Sequence, residues 1–328
     1  MGITVIRQGV FSTIQDGGRT GFARWGISPG GPMDIYASRI ATALVGNSFN
    51  DPVVEMHFPA GELAFSEPAL ISITGADFSP MVDGVAIPLW KPVLVPRDCM
   101  LRCGKKVKGE RSYLAVRGGF VTTQWLGSSA TNVKIGAGGN AGHILLPGDV
   151  IPFRHRLPAN PASGKPVVFP WSANPSRVYE NSREIRFIEG AEWGWLTEDS
   201  QQKLMSTALT IRATSDRMGF YLGELPLEYR VRDELVSTAV TFGTIQALPQ
   251  GGIVVLMADH QTTGGYPRIG HVITNDLPKL AQLSPGTSIS LKKISHHDAE
   301  KMVISLEHQL RTIQQSCHHH LQNYDAKY

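Results

Sequence analysis

The chain has 328 residues, 42% of them apolar and 18% charged, with 34 Gly and 21 Pro where average usage gives about 23 and about 16. Disorder and collagen are excluded, because apolar material is ample and the glycines keep no three-residue period; such a chain hides about 74% of its unfolded surface, enough for one large or two medium domains. A formal net charge of +3 is too small for a nucleic-acid footprint, and the one basic cluster, Lys105, Lys106 and Lys108, reads as a solvated turn.

The first residues lack a basic stretch, a long apolar run and the hydroxyl residue that myristoylation wants at position six, so neither export nor a lipid anchor is expected. Next comes a loop in which eight of the seventeen residues from Asp16 to Pro32 are Gly or Pro. It feeds the start of a helix expected over Met33–Val45, with Pro32 in the first turn and Gly46 as the stop. Backbone N–H groups of such a loop can approach an anion, with Arg19 and Asp34 the charged residues best placed to act; the alternative is a structural Arg19–Asp34 pair.

Short β-rich runs follow, each ended by Gly, Pro or Asp: Ala69–Thr74, Met81–Ile87, Leu94–Val95, Met100–Cys103 and Ser112–Val116, then Ile253–Met257 much later. Long helical periodicity is scarce, which predicts a mainly β fold of sandwich or barrel type. The Thr74-Gly75-Ala76 exit brings Asp77 out at a strand end. Cys99 and Cys103 share one face of a strand and read as packing, and with Cys317 they make an odd count that suits reduced, buried thiols. Gly136 to Ala141 matches a dinucleotide pattern, but strand and turn follow it where the pyrophosphate needs a helix N-terminus. No phosphate-binding loop, nucleophile elbow or zinc-binding helix occurs, so the sequence gives no support for classical ATP binding by this chain alone.

Seven prolines between Pro147 and Pro175 mark a connection, placed at 154–176, between a domain over 1–153 and another over 177–294. The segments Leu-Leu-Pro-Gly-Asp-Val-Ile, ending at Ile151, and Gln-Leu-Ser-Pro-Gly-Thr-Ser-Ile, ending at Ile289, echo one another; duplication and chance both explain so short a match. In the second half a helix is expected over Thr197–Leu209, capped by Thr197 and with Glu198 and Asp199 in its first turn. Ser215-Asp216-Arg217-Met218-Gly219 offers a guanidinium oriented by a neighbouring carboxylate, either a clamp for a carboxylate substrate or a surface ion pair. The run Asp259-His260-Gln261-Thr262-Thr263-Gly264-Gly265-Tyr266 leaves an apolar strand with more hydrogen-bonding capacity than a turn needs, which marks it as functional; His260 alone reads as a satisfied structural histidine. A short helix is expected over Asp276–Leu283, and an amphipathic one over 295–322 opens on a Ser295/Asp298 capping box and docks on the second domain or a partner. Cys317-His318-His319-His320 reads as its exposed end rather than a metal site. No strongly apolar stretch approaches the ~20 residues of a membrane helix, so a cytoplasmic location without a membrane partner is expected.

Four segments in this order, Gln-Asp-Gly-Gly-Arg (15–19) with Gly-Pro-Met-Asp (31–34), Thr-Gly-Ala-Asp-Phe (74–78), Ser-Asp-Arg-Met-Gly (215–219) and Asp-His-Gln-Thr-Thr-Gly-Gly-Tyr-Pro (259–267), resemble the biotin-dependent carboxyltransferase-like family over residues 3 to 294. That family includes the C subunit of bacterial ATP-dependent 5-oxoprolinase, the allophanate hydrolase subunit 2 type, and a matching domain of urea amidolyase. The resemblance implies two cyclophilin-like β-barrel domains. It implies a chain that works with a B-type subunit of related fold and an A subunit to open 5-oxo-L-proline to L-glutamate, using ATP in the complex whether or not this chain touches it. Two alternatives stand beside it: a carboxyltransferase acting on urea or a similar amide, with biotin carried by a partner protein, and a non-catalytic regulator of a kinase-inhibitor-like B partner.

Carried onto this sequence, Arg19 or Arg217 holds the substrate carboxylate. Gln261, Thr262, Gly264, Gly265 and Tyr266 line the substrate, with Thr262, Thr263 and the Gly264-Gly265 backbone as donors to a developing oxyanion. Asp34, Asp77 or Asp259 positions water or accepts a proton. No metal is expected.

Overall fold

The computed structural model describes residues 2–155, 161, 164–181, 183–231 and 233–325. The protein is mainly β, and it divides into two compact units. The first gathers residues 1–19, 34–175 and 307–328; the second gathers 20–33 and 176–306. Residues 20–33, read from the sequence as part of an N-terminal domain over 1–153, thus count with the second unit. Part of the Pro-rich connection (156–160, 162 and 163) lies outside the described residues. What is described of it does more than connect: Val167–Val168 adds a strand beside Pro92–Val95, and Phe169 and Ala173 are buried.

In the first unit two six-stranded antiparallel sheets enclose one core. The first sheet runs in the order Val150–Pro152, Gly2–Arg7, Glu62–Phe65, Cys99–Cys103, Pro80–Val82, Val85–Ala86. The second runs Val167–Val168, Pro92–Val95, Ala69–Asp77, Lys108–Val116, Val53–His57, Ser12–Gln15. The run expected over Met81–Ile87 is therefore two strands, reversed at Asp83 and Gly84, both at positive φ.

Alternate residues of the second sheet face opposite ways, and both sides are apolar. Ile71, Ile73, Leu114, Val54 and Met56 enter the core between the sheets. Leu70, Tyr113, Ala115 and Val53 pack instead with Ala37, Ala41 and Val45 of helix α1 (Ile35–Leu44) and its C-terminal neighbour. Two hydroxyls on that outer face, Ser72 and Thr74, donate to the Ala41 and Ala37 carbonyls at 2.6 and 2.7 Å, so polar residues under the helix are satisfied.

The second unit is a seven-stranded sheet in the order Leu209–Thr210, Ser288–Lys293, Glu184–Glu189, Arg268–Val272, Thr244–Ala247, Gly252–Leu256, Gly219–Glu224. Its edges meet where Arg212 N donates to the Tyr221 carbonyl at 2.7 Å, so the sheet nearly closes into a barrel around Phe187, Ile245, Val255 and Ile269. The echoing segments form the same turn: Gly148 and Gly286 sit at φ +90 and +87, and their N–H groups donate to Val5 and Ile211 carbonyls, each at 2.8 Å.

Besides α1, the described residues hold α2 (Ser176–Tyr179), α3 (Glu198–Ser206), α4 (Leu277–Ala281) and α5 (His296–Asp325). Thr197 caps α3 through the Ser200 N–H, and Ser295 caps α5 through the Asp298 N–H, both as expected from sequence. Helix α1 starts two residues later than expected, because Asp34 is its cap and Pro32 lies outside it. Residues 296–306 of α5 count with the second unit as expected, where Asn275 Nδ2 donates to the Met302 carbonyl at 3.1 Å, while 307–325 count with the first: Leu321 packs with Ala37, Ala41 and Val45, and Gln314 Nε2 donates to the Asn47 carbonyl at 3.2 Å. His318, His319 and His320 are exposed as expected, the His320 ring stacked on Trp171 at 5.1 Å, whereas Cys317 is buried. None of the described helices is long and apolar enough to cross a membrane.

Candidate functional site

In the second unit, the strand Gly252–Leu256 delivers the chain to the polar run, and two main-chain bonds fix its exit. Met257 N donates to the Met218 carbonyl at 2.9 Å and Asp259 N to the Arg217 carbonyl at 2.8 Å. The side chains repeat the pairing. Arg217 Nε donates to Asp259 Oδ2 at 2.7 Å and Nη2 to Oδ1 at 3.0 Å, a bidentate pair, and Nη2 also reaches the Gly31 carbonyl at 2.7 Å. Arg217 is 8% exposed and Asp259 24%. One guanidinium thus ties the 213–219 loop, the 20–33 loop and the polar run together, and a fork-to-fork pair resists rotation as a single bond does not.

The carboxylate next to Arg217 in sequence does something else. Asp216 Oδ1 accepts from Met218 N and Gly219 N at 2.7 and 3.2 Å, closing a turn. The expected partnership is therefore corrected: Arg217 is oriented by Asp259, 42 positions away.

Beyond Asp259 the run splits between buried and exposed groups. His260 and Thr262 are buried, while Gln261, Thr263 and Gly265 are exposed and Tyr266 is 44% exposed. Thr263–Gly264 pairs with Thr238–Ala239, and Val240 N donates to the Thr262 carbonyl at 3.1 Å, so this backbone is already held. A Cβ on Gly264 would lie 2.6 Å from Nε2 of the buried Gln246, which itself reaches the Tyr266 carbonyl at 3.4 Å. A side chain at 264 would therefore have to displace the amide end of Gln246. Beneath the run, Arg268 pairs with Glu192 through Nη2–Oε1 at 2.7 Å and Nε–Oε2 at 3.0 Å. Burial raises the Glu192 carboxyl, but the Arg268 bonds outweigh it and hold the group below its usual range.

The remaining expected residues lie in the first unit. Asp34 is fully buried: its Oδ1 accepts the Ala37 N–H at 2.9 Å, and its own N–H donates to Tyr113 Oη at 2.8 Å. Tyr113 in turn donates to Glu55 Oε2 at 2.8 Å, a connected chain with no exposed member. Burial, then Glu55 and Asp34, drive the Tyr113 phenol well above its usual value. At the N-terminus of α1 the Asp34 side chain thus takes one of the helix's unpaired N–H groups.

Arg19 is buried, donates to the Ala130 carbonyl and stacks over Trp125 at 4.9 Å. Asp16 beside it accepts from Ser128 Oγ, Ser129 N and Gly18 N at 2.6, 2.5 and 2.9 Å. The loop at 15–19 is therefore laced to the 125–131 segment, a pairing invisible at 112 positions' separation. Asp77 sits at its strand end as expected, with Oδ1 accepting from Ser79 N at 2.8 Å. Sequence reading missed Glu192, Gln246, Glu55 and Tyr113; for the last three the one signal was a buried polar residue inside an apolar strand, and Glu192, in the turn after Glu184–Glu189, gave none. Among the described residues no cluster of three or more His, Cys, Asp or Glu gathers to hold a metal.

The family model of the carboxyltransferase domain, subdomain A and B, matches residues 25–293. The chain is 34% identical over 301 residues to the C subunit of 5-oxoprolinase from Escherichia coli, covering 91% of this chain and 93% of that one. It is likewise 34% identical over 303 residues to the protein of the same name from Haemophilus influenzae, covering 89% and 91%. Urea amidolyase of Saccharomyces cerevisiae is 29% identical over 317 residues, which cover 92% of this chain but only 17% of that protein. Among solved structures, K. lactis urea amidolyase superposes with a TM-score of 0.85 at 26% identity over 95% of this chain, which spans 20% of that one.

Proposed function

From the premise that the chain belongs to the carboxyltransferase domain, subdomain A and B, family, we propose that it is the C-type subunit of an ATP-dependent 5-oxoprolinase. One observation carries the reading: end-to-end likeness to two proteins named as the C subunit of 5-oxoprolinase, over nine-tenths of both chains. The reading places the chain in the cytoplasm beside an A subunit and a B-type subunit of related fold, where the assembly opens 5-oxo-L-proline to L-glutamate.

Within this chain the exposed Gln261, Thr263, Gly265 and Tyr266 are the groups that meet the substrate. Arg217 acts one step back, holding Asp259 and the loop in place; its Nε edge is spent on that carboxylate and not on a ligand. Donors held by strand pairing on a rigid sheet are what a developing oxyanion requires. ATP is assigned to the partner subunits. The Gly-rich loop before α1 does not fit a phosphate, because Asp34 fills the helix N-terminus and a second anion there meets like charge.

The test is reconstitution of the three subunits with phosphate release measured against 5-oxoproline. Release that depends on the substrate and on this chain supports the reading. Carboxyl transfer to urea from a carboxybiotin carrier, without lactam opening, replaces it by the carboxyltransferase reading; tight binding of the B-type partner with no turnover replaces it by a regulator.

A further inference from the structure

We propose that His260 is the general base of this site, its Nε2 taking a proton from the water that attacks the lactam carbonyl. The assignment rests on the 5-oxoprolinase reading. It starts from a tautomer. His260 Nδ1 lies 2.5 Å from the Gln261 carbonyl oxygen, an atom that can only accept, so Nδ1 carries the hydrogen and the neutral ring presents Nε2 as a bare lone pair. Among the described residues Nε2 has no hydrogen-bond partner, yet it is not one of the atoms sealed from solvent. A purely structural buried histidine satisfies both nitrogens; this one satisfies one and leaves the other reachable at the head of the polar run.

The ring is held where a base is useful. His260 N donates to the Met257 carbonyl at 3.0 Å, and the preceding residue is clamped by Arg217 through both main chain and side chain. The exposed Gln261 and Thr263 follow within three positions. Burial lowers the imidazole's pKa from its ordinary 6.5, against the upward pull of the Gln261 bond and of the Asp259 carboxylate, so the ring is neutral at pH 7 and competent to accept.

In the ring-opening step Nε2 takes one proton from water while the water oxygen bonds to the carbonyl carbon. As the C–N bond breaks, the imidazolium returns that proton to the leaving nitrogen, and the histidine ends neutral. One water is consumed in this step; the ATP γ-phosphoryl group, moved beforehand onto the carbonyl oxygen with ADP leaving, departs as phosphate when a second water cleaves the resulting acyl phosphate.

The experiment compares the wild-type assembly of all three subunits with its His260→Asn variant. Asparagine's amide nitrogen overlies Nδ1 and keeps the bond to Gln261 but offers nothing at Nε2. The expected result is a fall in kcat of about 10²-fold or more, a KM within about twofold, and loss of the acid limb that wild-type kcat shows below about pH 6.5. A variant with wild-type kcat and the same acid limb overturns the assignment alone. A wild-type assembly with no substrate-dependent phosphate release overturns the 5-oxoprolinase reading and the assignment with it. Should the variant fail to assemble, diethyl pyrocarbonate treatment of the wild-type assembly decides: inactivation that tracks modification of His260 in peptide maps, and is slowed by 5-oxoproline, supports the base, while inactivation with His260 unmodified overturns it.

Discussion

Asp259→Ala strikes the bond that organises the candidate site. It deletes two charge-assisted hydrogen bonds of 2.7 and 3.0 Å and leaves the guanidinium of Arg217, 8% exposed, with the Gly31 carbonyl still in place. Removing one partner of a buried pair costs about 3–5 kcal/mol, mostly because the other charge stays buried. Two things reduce it here: Asp259 is 24% exposed, and the retained carbonyl still solvates the cation, which brings the expected cost to about 2–3 kcal/mol. At about 2–4 °C per kcal/mol for a unit of this size, Tm falls by about 4–12 °C. Calorimetry reads the shift, and hydrogen exchange should place it at residues 213–221 and 257–262. The double variant Arg217→Met/Asp259→Leu buries no orphan charge and is expected to regain most of the loss, a coupling of about 1.5–3 kcal/mol. A drop under about 2 °C for Asp259→Ala, or a double variant no better than the single, refutes the view that this pair organises the loops.

Three further outcomes are expected. Acid should weaken the fold: burial keeps the His260 and His271 imidazoles below 6.5, and Arg268 keeps Glu192 below 4.5. The unfolded chain therefore binds more protons, so the histidine contribution is complete above pH 6.5 and fades as pH falls through the folded values, with Glu192 following below 4.5; urea midpoints at about pH 7.5 and about pH 5.5 measure it. Thr197→Ala removes the cap on α3 and should cost about 1 kcal/mol, read from a urea titration, with Thr197→Ser restoring it. Leu321→Ala, emptying a buried position against α1, should cost about 2–4 kcal/mol, and Gly46→Val should destabilise the same contact, since Gly46 sits at φ +78 with its Cβ site 2.6 Å from Leu321 Cδ1.

The mainly β fold was legible because each reversal demands Gly, Pro or Asp, and these punctuate the chain at strand spacing. Thr197 and Ser295 announced their helices through local capping chemistry. Asp34 misled in a specific way: Pro32 two positions earlier suits a first turn, whereas the bond from the Ala37 N–H to the Asp34 side chain makes Asp34 the cap and leaves Pro32 outside the helix. The polar run after Leu256 stood out by composition. Its organiser did not, because Asp216 is adjacent to Arg217 and Asp259 becomes adjacent only when two strands align; Asp16 and Ser128, 112 positions apart, are likewise joined only by the tertiary fold. Glycine at 264 looked like backbone chemistry until the buried Gln246 side chain showed what occupies the space.

The division of the first unit among residues 1–19, 34–175 and 307–328 sets a timetable for synthesis. Helix α1 and its sheet leave the ribosome early, yet Leu321, which covers the helix beside Ala37, Ala41 and Val45, emerges some 280 residues later, or roughly 15–55 s at ordinary elongation rates. Throughout that interval the sheet already covers its side of α1, but the place that Leu321 fills beside the helix stays open while residues 176–306 of the second unit are being made. The portion of the chain synthesised first is the last to be complete, so truncation or a premature stop near the C-terminus injures the beginning of the protein more than its end.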